Sequence, residues 1–373
     1  MNAYYLFSKR VLERNVKEVK RAYEEAGVDL ALSYSFKTNS HYEVLQEIRR
    51  NEVYAEVVSK NEYCKALSIG YKSSEIIYNG VIPDTHGKCL LLVNGGIVNV
   101  DNYDELVEID DYIGKMKNQL VIRRNSVFPI GLRLNIDVGN GINSRFGIEY
   151  KSEDYYKCID FLGLSTNLVL KGIHNHAYGT RDLVYYKPRV DMMASIGKML
   201  GVRYIDLGSG MYGFMDERLV EWFGGNIPTF DDYARVTAEA LAREFPDGNA
   251  PKIILELGTP LIANAIKLRA HVTNIKTIRG QKFVTLDCSM FDLGFTNRKA
   301  NPPMDVSHTS NKKISLQGVD LLGYSCMESD IVYRGFTGEL SVGDTLTFAN
   351  CGAYTIALEN HFINEPLELK VVR

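Results

Sequence analysis

Leu32-Ser33-Tyr34-Ser35-Phe36-Lys37-Thr38-Asn39-Ser40 opens as a buried β-strand, carries an ammonium group near its end and then turns small and polar. A lysine in that place has two readings. It snorkels to solvent from a strand end, or it sits in a partly apolar pocket where desolvation lowers its pKa and frees the amine to bond a carbonyl carbon. The run by itself favours the first. The motifs spread along the rest of the chain reverse that balance.

Working outward, further strand-like stretches lie at 52–58, 76–78, 90–93, 129–134, 169–176, 204–207 and 252–256, after one at 29–36. Helical periodicity fills most of the gaps, at 40–50, 61–69, 102–116, 152–162, 186–200 and 230–245. Short apolar strands alternating with helices predict a (β/α)8 barrel. A doubly wound open sheet is the alternative. Ahead of the alternation stand a short strand at 4–7 and an amphipathic helix at 9–27 that closes on Gly27. After Thr259 the pattern changes to strands at 265–278, 281–287, 318–322, 331–333, 345–348 and 367–371 with glycine turns, which predicts a separate β domain. The expected division is a barrel at 28–258 and a β domain built from 1–27 and 259–373. A linker is expected at 258–264 and a long loop at 298–313.

Composition bounds the function. The 373 residues are 45% hydrophobic and 24% charged, as in ordinary globular proteins, and the net charge of −3 gives no footprint for nucleic acid or an anionic membrane. No stretch approaches the length of a membrane span, and the charged N-terminus lacks a signal-peptide core, so a cytoplasmic location is expected. Six scattered cysteines without a C-x-x-C pair read as reduced thiols, neither a disulfide frame nor a zinc site.

Four motifs carry possible chemistry. Leu207-Gly208-Ser209-Gly210-Met211-Tyr212-Gly213 follows a strand, and glycines there let backbone N–H groups approach an anion. It lacks the spaced acidic residue of a dinucleotide fingerprint, and a tight turn explains it equally well. Ile253-Ile254-Leu255-Glu256-Leu257-Gly258-Thr259 puts a carboxylate at the C-terminal end of the last barrel strand, the face where barrel enzymes keep their chemistry. A carboxylate there needs a cation or donor. Gly172-Ile173-His174-Asn175-His176 places two histidines on one strand face with no third metal ligand in evidence, so stacking or hydrogen bonding is the expected role for one of them. Cys326, followed four residues later by Asp330, lies in the β domain, where a merely buried cysteine is common.

In this order the pieces resemble the fold-type III pyridoxal-phosphate decarboxylases, the family of diaminopimelate and ornithine/arginine decarboxylases, with alanine racemase a more distant relative of the same fold. Ser35-Phe36-Lys37-Thr38-Asn39 looks like the family's aldimine lysine motif. Glu56-Val57-Val58-Ser59-Lys60-Asn61-Glu62 is similar to its second-strand motif. Leu132-Arg133-Leu134-Asn135 with Ser144-Arg145-Phe146-Gly147 resembles its central arginine segment. The resemblance implies pyridoxal 5′-phosphate as cofactor and no metal. It implies Lys37, His176 and Cys326 as catalytic residues, with His176 stacked on the pyridoxal ring. The cofactor contacts it implies are Lys37, Glu56, Arg133, His176, Gly208, Ser209, Gly210, Glu256, Thr259 and Tyr354. Arg298, Glu328 and Asp330 are the implied substrate contacts. It also implies a homodimer in which Cys326 reaches the partner's site.

Three departures stand out. The arginine after the strand-end carboxylate is replaced by Thr259, which leaves Arg181 or another group to compensate. The segment after His176 reads Ala177-Tyr178-Gly179, with Thr180 as the shifted hydroxyl. Met327 stands where the family keeps an acid that reads a basic substrate, unless Glu328 takes its place. An unpaired substrate charge costs about 1.5–3 kcal/mol, enough to change specificity. The expected function is therefore decarboxylation of an amino acid or an amino-acid conjugate, as in natural-product or siderophore assembly. A diaminopimelate- or ornithine-type decarboxylase of primary metabolism, an amino-acid racemase and a non-catalytic cofactor carrier are the alternatives.

Overall fold

A computed structural model describes residues 2–294, 300–359 and 362–372. Eight parallel strands close a barrel: Leu30–Ser35, Tyr54–Val57, Ile76–Tyr78, Ile97–Val100, Phe128–Asn135, Leu168–His174, Tyr204–Asp206 and Lys252–Leu257. The ring closes where Leu255 lies beside Leu32 and Val100 beside Leu132. The barrel's lower interior is apolar: Ala31, Ile77 and Ile254 pack with Tyr54, Ile97 and Tyr204. Tyr204 takes most of that space. The partners across from each other on two neighbouring strands are both glycine, Gly131 and Gly172. A Cβ on Gly172 would lie 1.9 Å from the Tyr204 ring, and one on Gly131 2.4 Å from its hydroxyl. Above this plug, at the C-terminal strand ends, the interior becomes polar.

The expected strand at 90–93 is instead the last turn of a helix, Thr85–Val93, and the barrel strand follows at Ile97–Val100. Asp84 caps that helix by accepting from the Gly87 N–H at 3.1 Å. Leu90 to Val93 form a short apolar run, which periodicity alone cannot assign.

The second sheet gathers Tyr4–Ser8, Ile266–Ile278, Gln281–Leu286, Met304–Ser307, Ile314–Leu322, Ile331–Leu340, Thr345–Phe348 and Glu368–Val372. Tyr4–Ser8 runs antiparallel to Ile266–Ile278 and parallel to Glu368–Val372, so both ends of the chain join one sheet. The following helix, Lys9–Glu25, lies against the barrel helix Phe230–Glu244, with an exposed Arg21–Asp231 ion pair at 3.0 Å. Residues 258–264 are not an open linker. They form the helix Thr259–Ile262 and a tight turn, with Leu261 and Ile262 buried and Asn15 donating to Leu261 O at 2.9 Å and to Asn264 Oδ1 at 2.7 Å. The expected loop at 298–313 contains the strand Met304–Ser307, paired with Thr345–Phe348. No helix among the described residues is long and apolar enough to cross a membrane.

Gly172→Val should lower the urea midpoint by an amount equivalent to about 1–3 kcal/mol, because the added atoms enter space the Tyr204 ring occupies. An unchanged midpoint would mean that the lower barrel is not packed in this way.

Candidate active site

Lys37 lies in a tight turn, Phe36–Thr38, directly after the first barrel strand. Parallel pairing sets Glu56 beside Ser35 on the neighbouring strand. The half-buried ammonium therefore meets the buried Glu56 carboxylate at 2.6 Å, with Ser35 Oγ at 3.4 Å. Burial pulls the Lys37 pKa down, as the sequence led us to expect. Glu56 and Glu256 pull it up and win, so the net shift is upward and the amine is held protonated. That direction corrects the expectation of a depressed lysine.

Glu256, at the end of the last barrel strand, is the centre of the polar layer. Its Oε1 accepts from Asn79, whose Oδ1 accepts from Asn99 at 2.8 Å. Asn99 also donates to Asp206 at 3.3 Å, and the other Asp206 oxygen accepts from the Gly208 N–H at 2.9 Å. His174 Nε2 stands 3.4 Å from Glu256 Oε2, with neither ring nitrogen in a hydrogen bond of good geometry. Burial pushes both carboxyls up. His174, Asp206 and Lys37 pull Glu256 back below its ordinary value, while the Glu256 charge drives Asp206 further up. The pair thus holds one negative charge, on Glu256. The fold also supplies the neighbours that the H-x-H spacing lacked: ligand atoms of His174, Asp206 and Glu256 lie within 4.8 Å of one another, and His176 is outside that group.

His176 belongs to the glycine loop instead. Its Nδ1 accepts from the Ser209 N–H at 3.1 Å. Burial, and then the Lys37 charge, lower its pKa to about 3, so the imidazole is neutral with its proton on Nε2. Gly208 has φ of +56°, and a Cβ there would lie 2.7 Å from His176 Nδ1. Gly210 has φ of +95°, and its Cβ would lie 2.6 Å from Thr180 Oγ1 and 3.1 Å from Arg189 Nη1. Thr180 therefore does stand at the loop. Arg181 lies over the Tyr212 ring, 5.6 Å from its centroid. Thr259 opens the short helix after Gly258.

The β domain touches this rim through its own loop. The Tyr354 N–H donates to Thr38 O at 2.8 Å, and Asn39 donates to Gly352 O at 3.0 Å, so the Tyr354 segment is tied to the lysine turn. Arg133 faces Asp101 at 3.3 Å and lies 4.8 Å from the Phe146 centroid. Cys326, Met327 and Glu328 are exposed on a turn of the β domain. Asp330 differs from its expected role as a substrate contact. It is buried, and its carboxylate accepts from Ser289 Oγ at 3.0 Å, Met290 N at 2.8 Å and Ser325 N at 3.1 Å, which commits it to shaping the turn that presents Cys326. Arg298 lies outside the described residues.

Residues 10–263 match the family model of the pyridoxal-dependent decarboxylases, pyridoxal binding domain. The chain belongs to the pyridoxal-dependent decarboxylase family. Among curated members it is 25% identical over 377 residues to diaminopimelate decarboxylase of Pseudomonas fluorescens, spanning 96% of this chain and 84% of that one. With the enzyme of that name from Methanocaldococcus jannaschii it shares 24% over 369 residues, 94% of this chain and 80% of the other. Solved decarboxylases share the fold. Diaminopimelate decarboxylase from Helicobacter pylori, complexed with L-lysine, superposes with a TM-score of 0.82 at 23% identity, covering 100% of this chain and 92% of that one. The arginine decarboxylase of Paramecium bursaria Chlorella virus gives 0.80 at 19% identity, covering 100% and 96%.

Sequence reading passed over Asn79, Asn99, Asp206 and Arg189 as site residues. The first three share a visible signal, a polar residue at the end of a short apolar strand. Arg189 had none.

Asp206 binds a proton more tightly folded than unfolded, so it stabilises at low pH and that contribution is lost as pH rises from about 4 towards its raised folded pKa. Asp206→Asn should flatten this fall in a pH series of urea midpoints. Parallel profiles for the two proteins would show that Asp206 does not hold the proton.

Proposed function

We propose that this protein decarboxylates an amino acid or an amino-acid conjugate with pyridoxal 5′-phosphate, using residues of two copies of the chain. The observation that carries the reading is the placement of Lys37 Nζ, 2.6 Å from Glu56 and within the field of Glu256, at the C-terminal mouth of the barrel. The rim fits the cofactor on its own terms. It has an amine for the aldehyde, one buried ionised carboxylate for a protonated ring nitrogen, a neutral imidazole, and a glycine loop whose close contacts leave no room for a Cβ at Gly208 or Gly210.

When bound, the cofactor supplies an electron sink for negative charge at the substrate Cα. The chain supplies the rest. Lys37 would hold the cofactor through its amine, and Glu56, 2.6 Å from that amine, would take the proton it gives up. Glu256 would supply the negative charge that a protonated ring nitrogen needs. His176, its Nδ1 committed to Ser209, presents a flat uncharged face. The glycine loop and Tyr354 would hold the phosphate end, which would keep the scissile bond in one orientation. Cys326 of a second copy carries the proton delivered to Cα, on the turn that Asp330 braces. In this reading the barrel is 28–258 and the β domain is 1–27 with 259–373. The six free cysteines support a reducing compartment, the cytoplasm.

Relatives named diaminopimelate decarboxylases support a substrate with a second charged group, as in primary metabolism. Met327, exposed beside Cys326, supports a different distal end, such as the conjugated amino acids of natural-product assembly.

A screen for carbon dioxide release should cover diaminopimelate, lysine, ornithine, arginine and their N-acylated conjugates. We expect release from at least one of them, and Cys326→Ala should slow product formation by about 100-fold with cofactor absorbance unchanged. Solvent isotope exchange at Cα without carbon dioxide would instead mark a racemase. Unchanged kinetics in the variant would remove Cys326 from the mechanism.

A further inference from the structure

Arg189, on the helix Leu183–Leu200, is fully buried beneath the glycine loop. Its Nη1 donates to Ser209 O at 2.8 Å, while Nε and Nη2 have no hydrogen-bond partner. Tyrosines surround it: the Tyr186 ring centroid is 4.9 Å away, with Tyr23 and Tyr233 close by. No carboxylate forms an ion pair with it among the described residues. A buried guanidinium without a counter-charge is strongly unfavourable. The fold keeps one here, against a loop in which neither Gly208 nor Gly210 has room for a Cβ.

The geometry points to Arg189 as the buried cation of an anion cup that takes a phosphate monoester, an inference that rests on the function proposed above. Arg189 acts through the backbone. In a planar trans peptide the C=O and N–H point in opposite directions. With Ser209 O drawn to Arg189, the Gly210 N–H points away from it, to the other side of the loop, and the guanidinium polarises that peptide. The Ser209 N–H is already taken by His176 Nδ1, so Gly210 is the donor this arrangement prepares. Thr180, also buried, closes the other side of the same glycine with its hydroxyl, which donates to Ala177 O at 3.0 Å. A backbone donor with a cation behind it favours a doubly charged phosphate over a neutral group. Thr259 offers a hydroxyl and no charge, so Arg189 takes on the balancing of charge as a positioning residue.

The test uses purified enzyme, stripped with hydroxylamine and titrated back with pyridoxal 5′-phosphate or with pyridoxal, following absorbance. Arg189→Met should weaken binding of the phosphate ester by about 10- to 100-fold and leave pyridoxal unchanged, with Arg189→Lys recovering part of the loss. Equal losses for both ligands, or none, would overturn the inference, since a merely structural role cannot tell the two apart. Should Arg189→Met fail to fold, Arg189→Lys decides. Inorganic phosphate should raise the melting temperature of the stripped wild type more than that of this variant, and equal shifts would overturn the proposal. A wild type that binds neither aldehyde would overturn the functional reading itself, and this inference with it.

Discussion

An ammonium at the mouth of a barrel strand, half out of water, is tolerable only with a counter-charge close by. Glu56 supplies it at 2.6 Å. The rest of the rim is arranged around that pair. The partnership is a consequence of register: Ser35 lies beside Glu56 across two parallel strands, and Lys37 follows two residues later, where the strand has ended and the chain can turn. Removing Lys37 would leave the buried Glu56 carboxylate without its cation, and would take from His176 the charge that adds to burial in keeping it neutral.

The charges are kept apart by layering. Below, Tyr204 fills the barrel against paired glycines, which keeps that layer apolar. Above, Asn79 and Asn99 link Glu256 to Asp206 by neutral donors, so two carboxyls share one charge and need not repel each other across a few ångströms. The β domain is joined to this layer at the lysine turn itself, through Tyr354 to Thr38 and Asn39 to Gly352. A shift of that domain would therefore be felt at Lys37, a link from packing to chemistry that neither part has alone.

Much of this was legible in the chain. The strand ends at Lys37 and Glu256 could be read because each breaks an apolar run with a charge, which burial makes expensive, whereas Glu56 entered only through the resemblance to the family's second-strand motif. Where the reading failed, the cause was physical and local. Leu90 to Val93 could be helix or strand, and the decision lay with the Asp84 cap. With that strand misplaced, Asn99 was lost from the polar layer. The lysine pKa was read from burial alone, whereas the sign depends on two carboxylates brought in by other strands. Asp330 looked like a binding residue because nothing local showed that three donors would fold onto it. Arg189 was invisible, since nothing in the expected helix at 186–200 marks which of its residues the tertiary fold buries.

The central claim is that Lys37, held by Glu56, is where this barrel attaches pyridoxal phosphate. Borohydride reduction of the purified protein with the cofactor, followed by peptide mass mapping, tests it most directly. The account predicts a visible absorbance band that is lost on reduction, and the reduced cofactor fixed on Lys37. No band, or label scattered over surface lysines with Lys37 unmodified, would contradict it.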